Sequence, residues 1–561
     1  MMTKELRWTG SFFLFAGLLV CLFFPHEAAA QQCSDWSAPT NLNAPPCSAI
    51  VNLASNDQHP TISKDGLSLF FISDAQDSLG DFDIYVSHRD SVDACWKDRQ
   101  HLGTNVNTPY REYAPYITDD GQWLYFHSNR PGGCGGQDLW VTHRGDTSND
   151  FGWEPPVNLS CTINTNTPPV NLGWLGCPLI PKTPTLDQAG PTYFHDEASG
   201  THFLYFTQRP TGASEDCFDI YVSTCTTDLA TCNTPNVWGP GNLVDELSVP
   251  LDPLNPGFGR DTRTAIRRQD GLEMILSSKR LGGVGLIDLW SSTRPSVTLD
   301  QENWSVPINL TVVNSSANDG APALSWDGTE LYFYSDRIDL PGAAGGTDLY
   351  ISKRTYITKT VLNSSANPSV FGQPVTFAAT VSSAADTAPT GTVTFSDGAT
   401  SLGTGTLASG QATFTTSSRS IGSHSITGQY GGDRISGASS GSLTQTVEYG
   451  VCPLFDQVRS VKSGATFPIK LQLCDANGND LSSSAIVVHA TSVTAVSGFS
   501  GTPDAPGNAN PDNDFRFDAT LGLTGGYIFN LSTGGLASGT YSLQFTAGSD
   551  PVTHSVSFGV K

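Results

Sequence analysis

One plan of residue types recurs five times between residues 58 and 354, which restricts the chain to an array of similar units before any single element is considered. The copies run over Gln58–Arg89, Arg111–Gly145, Ala189–Ser223, Arg260–Arg294 and Asn318–Arg354. A proline opens a short apolar segment in most copies, and an Asp-Gly pair follows at 65–66, 120–121, 270–271 and 327–328. The aspartate side chain and the permissive glycine supply a tight hairpin turn. Next comes a run such as Trp123-Leu124-Tyr125-Phe126, whose aromatic and branched residues suit a buried strand. A Gly-rich bend then leads to a third strand that opens on Asp83, Asp138, Asp219, Asp288 or Asp348. Their presence in every copy predicts a structural role for these aspartates. The third copy stretches its turn through Asp196-Glu197-Ala198-Ser199-Gly200, and the fourth lacks the leading proline.

A fourth strand lies between copies, marked by Trp, then Pro, then Asn-Leu, as in Trp153–Leu159 and Trp304–Leu310; Trp238 opens another and Trp96 is looser. Four strands per unit is the content of a propeller blade. One such segment, Trp36–Leu42, stands alone before the first copy and none follows the last. It is expected to complete the final blade, removing the exposed edges of an open array. The fold predicted is all-β: a five-bladed propeller followed by two Ig-like β-sandwiches, or a six-bladed one if Thr162–Thr185 holds a degenerate unit.

These repeats resemble the TolB-like family of WD-like propellers, in which a Pro, a Ser-x-Asp-Gly turn, a Leu-Tyr-Phe strand, a Gly-Gly bend and an Asp-Leu-Tyr strand recur. Ser63-Lys64-Asp65-Gly66 and Ser325-Trp326-Asp327-Gly328 fit it closely. The resemblance covers residues 36 to 355 and implies the fold; the family spans binding proteins, protease-associated propellers and some sugar-active enzymes, so it does not choose a function.

Residues 1–30 carry Lys4 and Arg7, an apolar run from Phe12 to Phe24 and then Ala28-Ala29-Ala30, the pattern of a secretory signal peptide. The run is short for a membrane span. A secreted or periplasmic protein without a transmembrane anchor is expected. Residues 31–355 then form the propeller, 356–449 a sandwich and 450–561 a second one. The middle block, with Gly391-Thr392-Val393-Thr394-Phe395 and Tyr430-Gly431-Gly432-Asp433, resembles bacterial Ig-like repeats, which implies a spacer or adhesion unit. The last block, with Phe467-Pro468-Ile469-Lys470-Leu471, resembles an exported module named for its Pro-x-Lys-Phe signature, with Leu471 where Phe is usual. Within it, Asp475–Asp480 has the oxygen spacing of a calcium loop but lacks the closing Glu, and reads as a turn.

Of 12 cysteines one lies in the signal segment, so 12 − 1 = 11 remain and at least one has no partner within the chain. Export favours disulfides. Local pairs are expected: Cys161 with Cys177, Cys217 with Cys232 or Cys225, and Cys452 with Cys474. The net charge of −24 argues against nucleic acid, which needs a basic face.

The first strand of each blade lines the channel, and three residues before its opening proline or the equivalent position stand Asp57, Glu112, Gln188, Asp261 and Asp319. Such a ring predicts either backbone-bonding carboxylates that serve each blade or a ligand site at the channel mouth, where repulsion would call for a cation, with Ca²⁺ the candidate cofactor. Residues that break the repeat are the better functional candidates: His59, Arg111, Tyr113 and Arg263 join Asp57, Glu112, Asp261 and Asp319 in the expected ligand site. No Gly-x-Ser-x-Gly elbow occurs, which disfavours a peptidase. The function expected is an exported, non-catalytic recognition or scaffold protein whose propeller binds an extracellular or envelope protein or a glycan. The alternative is a carbohydrate-active hydrolase or lyase using Asp57, Glu112 and Asp261 as acid, base or nucleophile.

Overall fold

The computed structural model describes residues 33–47, 50–164, 186–211, 213–248, 259–297, 303–496, 500–501 and 510–561. The expected signal segment, Cys177 and most of the stretch that suggested a sixth blade lie outside these residues.

Each repeat folds into one antiparallel four-stranded sheet, giving five such sheets among the described residues before residue 355. In the second, the inner strand Glu112–Ile117 pairs with Trp123–Ser128, which pairs with Asp138–His143, which pairs with the outer strand Val157–Asn158. The inner strands of the others are Asp57–Ile62, Leu186–Asp196, Asp261–Ile266 and Asp319–Leu324. Each neighbours the inner strand of the next sheet, and the fifth neighbours the first. The arrangement is propeller-like. Thr40 and Asn41 pair with Ile351 and Tyr350, so the early tryptophan-bearing segment supplies the outer strand of the fifth sheet. Trp36 packs there among Leu331, Phe333 and Tyr350, with the Arg354 guanidinium 4.1 Å from its ring centroid.

The repeated polar residues hold each sheet together. Asp138 accepts from the Cys134 amide at 2.5 Å within the Gly-rich bend, where a Cβ on Gly133 would lie 1.8 Å from the Asp138 carboxylate. Asp83, Asp288 and Asp348 take up the corresponding amides of Leu79, Val284 and Ala344, as their structural role requires. The asparagine of the outer strand bonds the same carboxylate: Asn309 to Asp288 at 2.9 Å and Asn41 to Asp348 at 3.2 Å. At the opposite end, Arg89, Arg144, Arg294 and Arg354 each donate from Nε to the carbonyl of the turn glycine, Gly66, Gly121, Gly271 or Gly328, at 2.6–2.9 Å. The sheets pack through buried aromatic and branched faces, such as Phe70, Phe126, Trp140 and Trp153 between the first two.

Residues Thr358–Glu448 form a three-stranded and a five-stranded sheet packed over Phe377, Val393, Phe395, Ile426 and Tyr430. Gly450–Val560 form a four-stranded and a five-stranded sheet over Ile469, Leu471, Phe529, Phe545 and Phe558. Tyr356 ties the first of these bodies to the repeats: its hydroxyl lies 2.7 Å from both the Gln269 side-chain oxygen and the Asp327 carbonyl, with one proton to share between them, and its amide donates to the Ile435 carbonyl. Asp475 accepts the amides of Asn477 and Asn479, the turn expected there.

Disulfides join Cys47 to Cys95, Cys134 to Cys161, Cys225 to Cys232 and Cys452 to Cys474. The last was expected. Cys161 follows the outer strand of the second sheet, which brings it to Cys134 in the bend of that sheet rather than to Cys177. Cys225 takes Cys232, so neither pairing proposed for Cys217 forms, although Cys217 is itself disulfide-bonded. Cys33 is free, in line with the odd count. No helix among the described residues is long and apolar enough to cross a membrane.

Candidate functional site

The carboxylates expected at the channel mouth are present on the inner strands, and all are buried. Asp57, Glu112, Asp261 and Asp319 are each 0% exposed. Each carries a guanidinium: Arg99 on Asp57 at 2.5 Å, Arg130 on Glu112 at 2.8 Å, Arg280 on Asp261 at 2.7 Å and Arg337 on Asp319. Three also accept the amide four residues upstream, Leu53, Thr108 or Ser315, closing the loop that enters the strand. The charge that predicted a Ca²⁺ ion is therefore compensated from within the chain. Each of these four carboxylates thus serves its own sheet, and none of them is among the residues that line the axial cavity. For three of them the missed signal was the arginine just after the second strand: Ser-x-Arg recurs at 128–130, 278–280 and 335–337, whereas Asp57 takes Arg99 from elsewhere.

Two residues beyond each of these positions the inner strand breaks its register. There His59, Ala114, Gly190, Arg263 and Ala321 all have positive φ, between 37° and 59°. A bulge of this kind re-aims the strand. Four of the five carry a Cβ at this positive φ, so the strained backbone belongs to the repeat, and His59 and Arg263 stand out by placing long polar side chains where the sister strands carry alanine or glycine. Both side chains face a cavity of about 230 Å³ on the axis, lined by all five inner strands.

His59 lies between the rings of Tyr113 and Tyr334, with centroids at 4.5 and 5.9 Å. Tyr113 donates to Gln58 at 2.7 Å. His127 is buried and accepts the Gly190 amide on Nδ1 at 3.2 Å, which leaves the proton on Nε2. Burial first, and then the charge of Arg263, hold the imidazolium form of His59 well below the usual histidine range. Burial and Arg111 do the same for His127. Both rings are neutral at ordinary pH.

Arg111, Arg209, Arg260 and Arg263 line the same cavity, with Glu215 as its one carboxylate among the described residues. Arg111 faces Asp81 at 3.2 Å, Arg209 faces Asp187 at 3.2 Å and Arg260 faces Glu215 at 2.7 Å. Arg263 is 2% exposed and its guanidinium donates to the carbonyls of Ala114, Pro191 and Pro115 at 2.7–3.1 Å. Its pKa falls to about 10 through burial. The structure thus brings His59, Arg111, Tyr113 and Arg263 together, as expected of the repeat-breaking residues. Gln58, His127, Arg209, Glu215, Arg260 and Tyr334 were not foreseen. No group of three or more His, Cys, Asp or Glu side chains among the described residues is placed to hold a metal ion.

Residues 362–448 match the bacterial Ig-like domain (group 3) family. No curated protein matches the chain. Among solved structures, the chain is similar to an α-L-arabinofuranosidase from Lactobacillus brevis, at 13% identity over 54% of this chain and 92% of that one, with a TM-score of 0.34. It is similar to an exo-β-1,3-galactanase from Phanerochaete chrysosporium, at 11% identity over 94% and 93%, with a TM-score of 0.31. It is also similar to a xylan β-1,4-xylosidase from Bacillus halodurans, at 10% identity over 91% and 92%, with a TM-score of 0.32. At these scores none of them carries a site residue or a reaction over to this chain. All three are named as enzymes acting on carbohydrate, which runs against the expectation of a non-catalytic recognition or scaffold protein; the choice between the two readings rests on the cavity.

Proposed function

We propose that this protein is a carbohydrate-active hydrolase or lyase that receives a sugar unit in the axial cavity. The five sheets are read as the blades of a closed propeller of the TolB-like kind, with the first strand as its clasp. The N-terminal segment is read as an export signal, and the two sandwiches, residues 356–449 and 450–561, as attachment modules; disulfides agree with an extracellular setting.

The observation that carries the reading is the cavity itself. Its volume of about 230 Å³ is that of a single ring rather than a drug-sized ligand. It presents flat faces from His59, Tyr113 and Tyr334 beside donors and acceptors from Gln58, Arg111 and Arg209, the combination that a hydroxyl-rich ring with an apolar face requires. Hydrolysis by a carboxyl pair needs two carboxyl groups roughly 5 to 9.5 Å apart across the bond. Among the described residues Glu215 is the one carboxylate that lines the cavity, so Asp57, Glu112 and Asp261 are left out of the scheme. Burial and the neighbouring guanidinium groups disfavour protonating His59 and His127, so their rings serve to stack on and hydrogen-bond the ligand, and acid–base work falls to Glu215.

The test is turnover of a polysaccharide panel by the full chain, followed by new reducing ends. His59→Ala is the variant of choice, because Ala114 and Ala321 show that alanine suits this backbone position. Product release by the wild type and its loss in His59→Ala, with unchanged thermal stability, supports the reading. Glycan binding without any turnover rejects the enzyme reading, and neither binding nor turnover rejects the site.

A further inference from the structure

The cavity of this acidic protein is lined by four arginines, and three of them have carboxylate partners. Arg263 does not. Among the described residues it forms no ion pair; its guanidinium is shared among three backbone carbonyls, and its Nε has no hydrogen-bond partner. A buried charge without a counter-charge is costly unless something compensates it. Elsewhere this chain supplies that compensation: Arg89 has Glu330, Arg280 has Asp261 and Arg354 has Glu273. At the cavity it does not, although Arg263 stands where two sister strands carry alanine and a third carries glycine. The two histidines beside it add no positive charge that a ligand would have to balance, and no negative charge that would repel an anion. We propose that the ligand supplies the missing charge, and that the cavity takes a sugar bearing a single oxyanion, a carboxylate or a sulfate ester, against Arg263 with Arg260 and Arg111 at the rim. A guanidinium is suited to such a group through paired, charge-assisted hydrogen bonds.

This inference rests on the cavity being the sugar site and narrows it to one class of sugar. The experiment measures binding of three matched ligand sets to the full chain by calorimetry: oligouronates, the same oligosaccharides with their carboxyl groups reduced to alcohols, and sulfated galactan fragments beside their desulfated forms. One anionic set is expected to bind at least about tenfold more tightly than its neutral counterpart, and which set does so identifies the oxyanion. Arg260→Gln, at the accessible rim, should erode that preference while leaving thermal unfolding unchanged. Arg263→Ala should abolish it; should that variant fail to fold, the matched ligands and Arg260→Gln still decide. Equal binding of charged and neutral forms overturns the inference and leaves the sugar site standing. No binding of any glycan overturns both.

Discussion

Glu112 separates a structural carboxylate from a catalytic one. It is 0% exposed and accepts from the Thr108 amide and hydroxyl, each at 2.7 Å, from Ser128 at 3.1 Å and from Arg130 at 2.8 Å. Glu112→Ala leaves the Arg130 side chain, itself 9% exposed, without its counter-charge, and strands the Thr108 amide. Breaking one side of a buried ion pair costs about 3–5 kcal/mol. Burial raises the Glu112 carboxyl pKa in spite of Arg130, so the pair does not fully offset its own desolvation, and the low end, about 3 kcal/mol, is expected. All 11 tryptophans lie at or before residue 326, so intrinsic fluorescence during urea unfolding reports the repeats and not the two C-terminal bodies. Glu215→Ala is the contrast: its carboxylate is 56% exposed, and loss of such a surface pair shifts stability by less than about 1 kcal/mol. Were Glu112→Ala to unfold within about 1 kcal/mol of the wild type while losing all turnover, the structural assignment of the inner carboxylates would be refuted.

Two further outcomes follow from the packing. Asp219 is pushed up to about 7 by burial, with Asp261 and Asp245 adding repulsion. A carboxyl raised in the folded state favours folding less as pH climbs from the ordinary carboxylate range towards 7, so Asp219→Asn should stabilise the repeats at pH 8 and not at pH 4, by fluorescence-detected urea midpoints at both. Trp36→Ala, which empties the packing of the outermost strand on the fifth sheet, should cost about 3–5 kcal/mol and expose a sheet edge. Light scattering during thermal unfolding should show earlier aggregation, and unchanged behaviour would mean that the clasp does not hold the array.

The sequence by itself determined the repeats, the number of strands in each, the role of Trp36–Leu42 and the structural nature of four of the five third-strand aspartates, Asp219 being the exception. These are properties that local turn chemistry and alternating apolar residues encode within a few tens of residues. It also singled out His59, Arg111, Tyr113 and Arg263, because they depart from positions that the repeat otherwise fixes. It could not choose between a carboxylate that faces a ligand and one that faces an arginine. Asp57 reaches Arg99 across 42 residues, and Arg263 reaches the Ala114 carbonyl across 149. Cys134 and Cys161 likewise meet only because the outer strand folds back beside the bend. Which charges are compensated, and which one is left open at the axis, depends on distances set when five sheets converge, and only the tertiary structure fixes those.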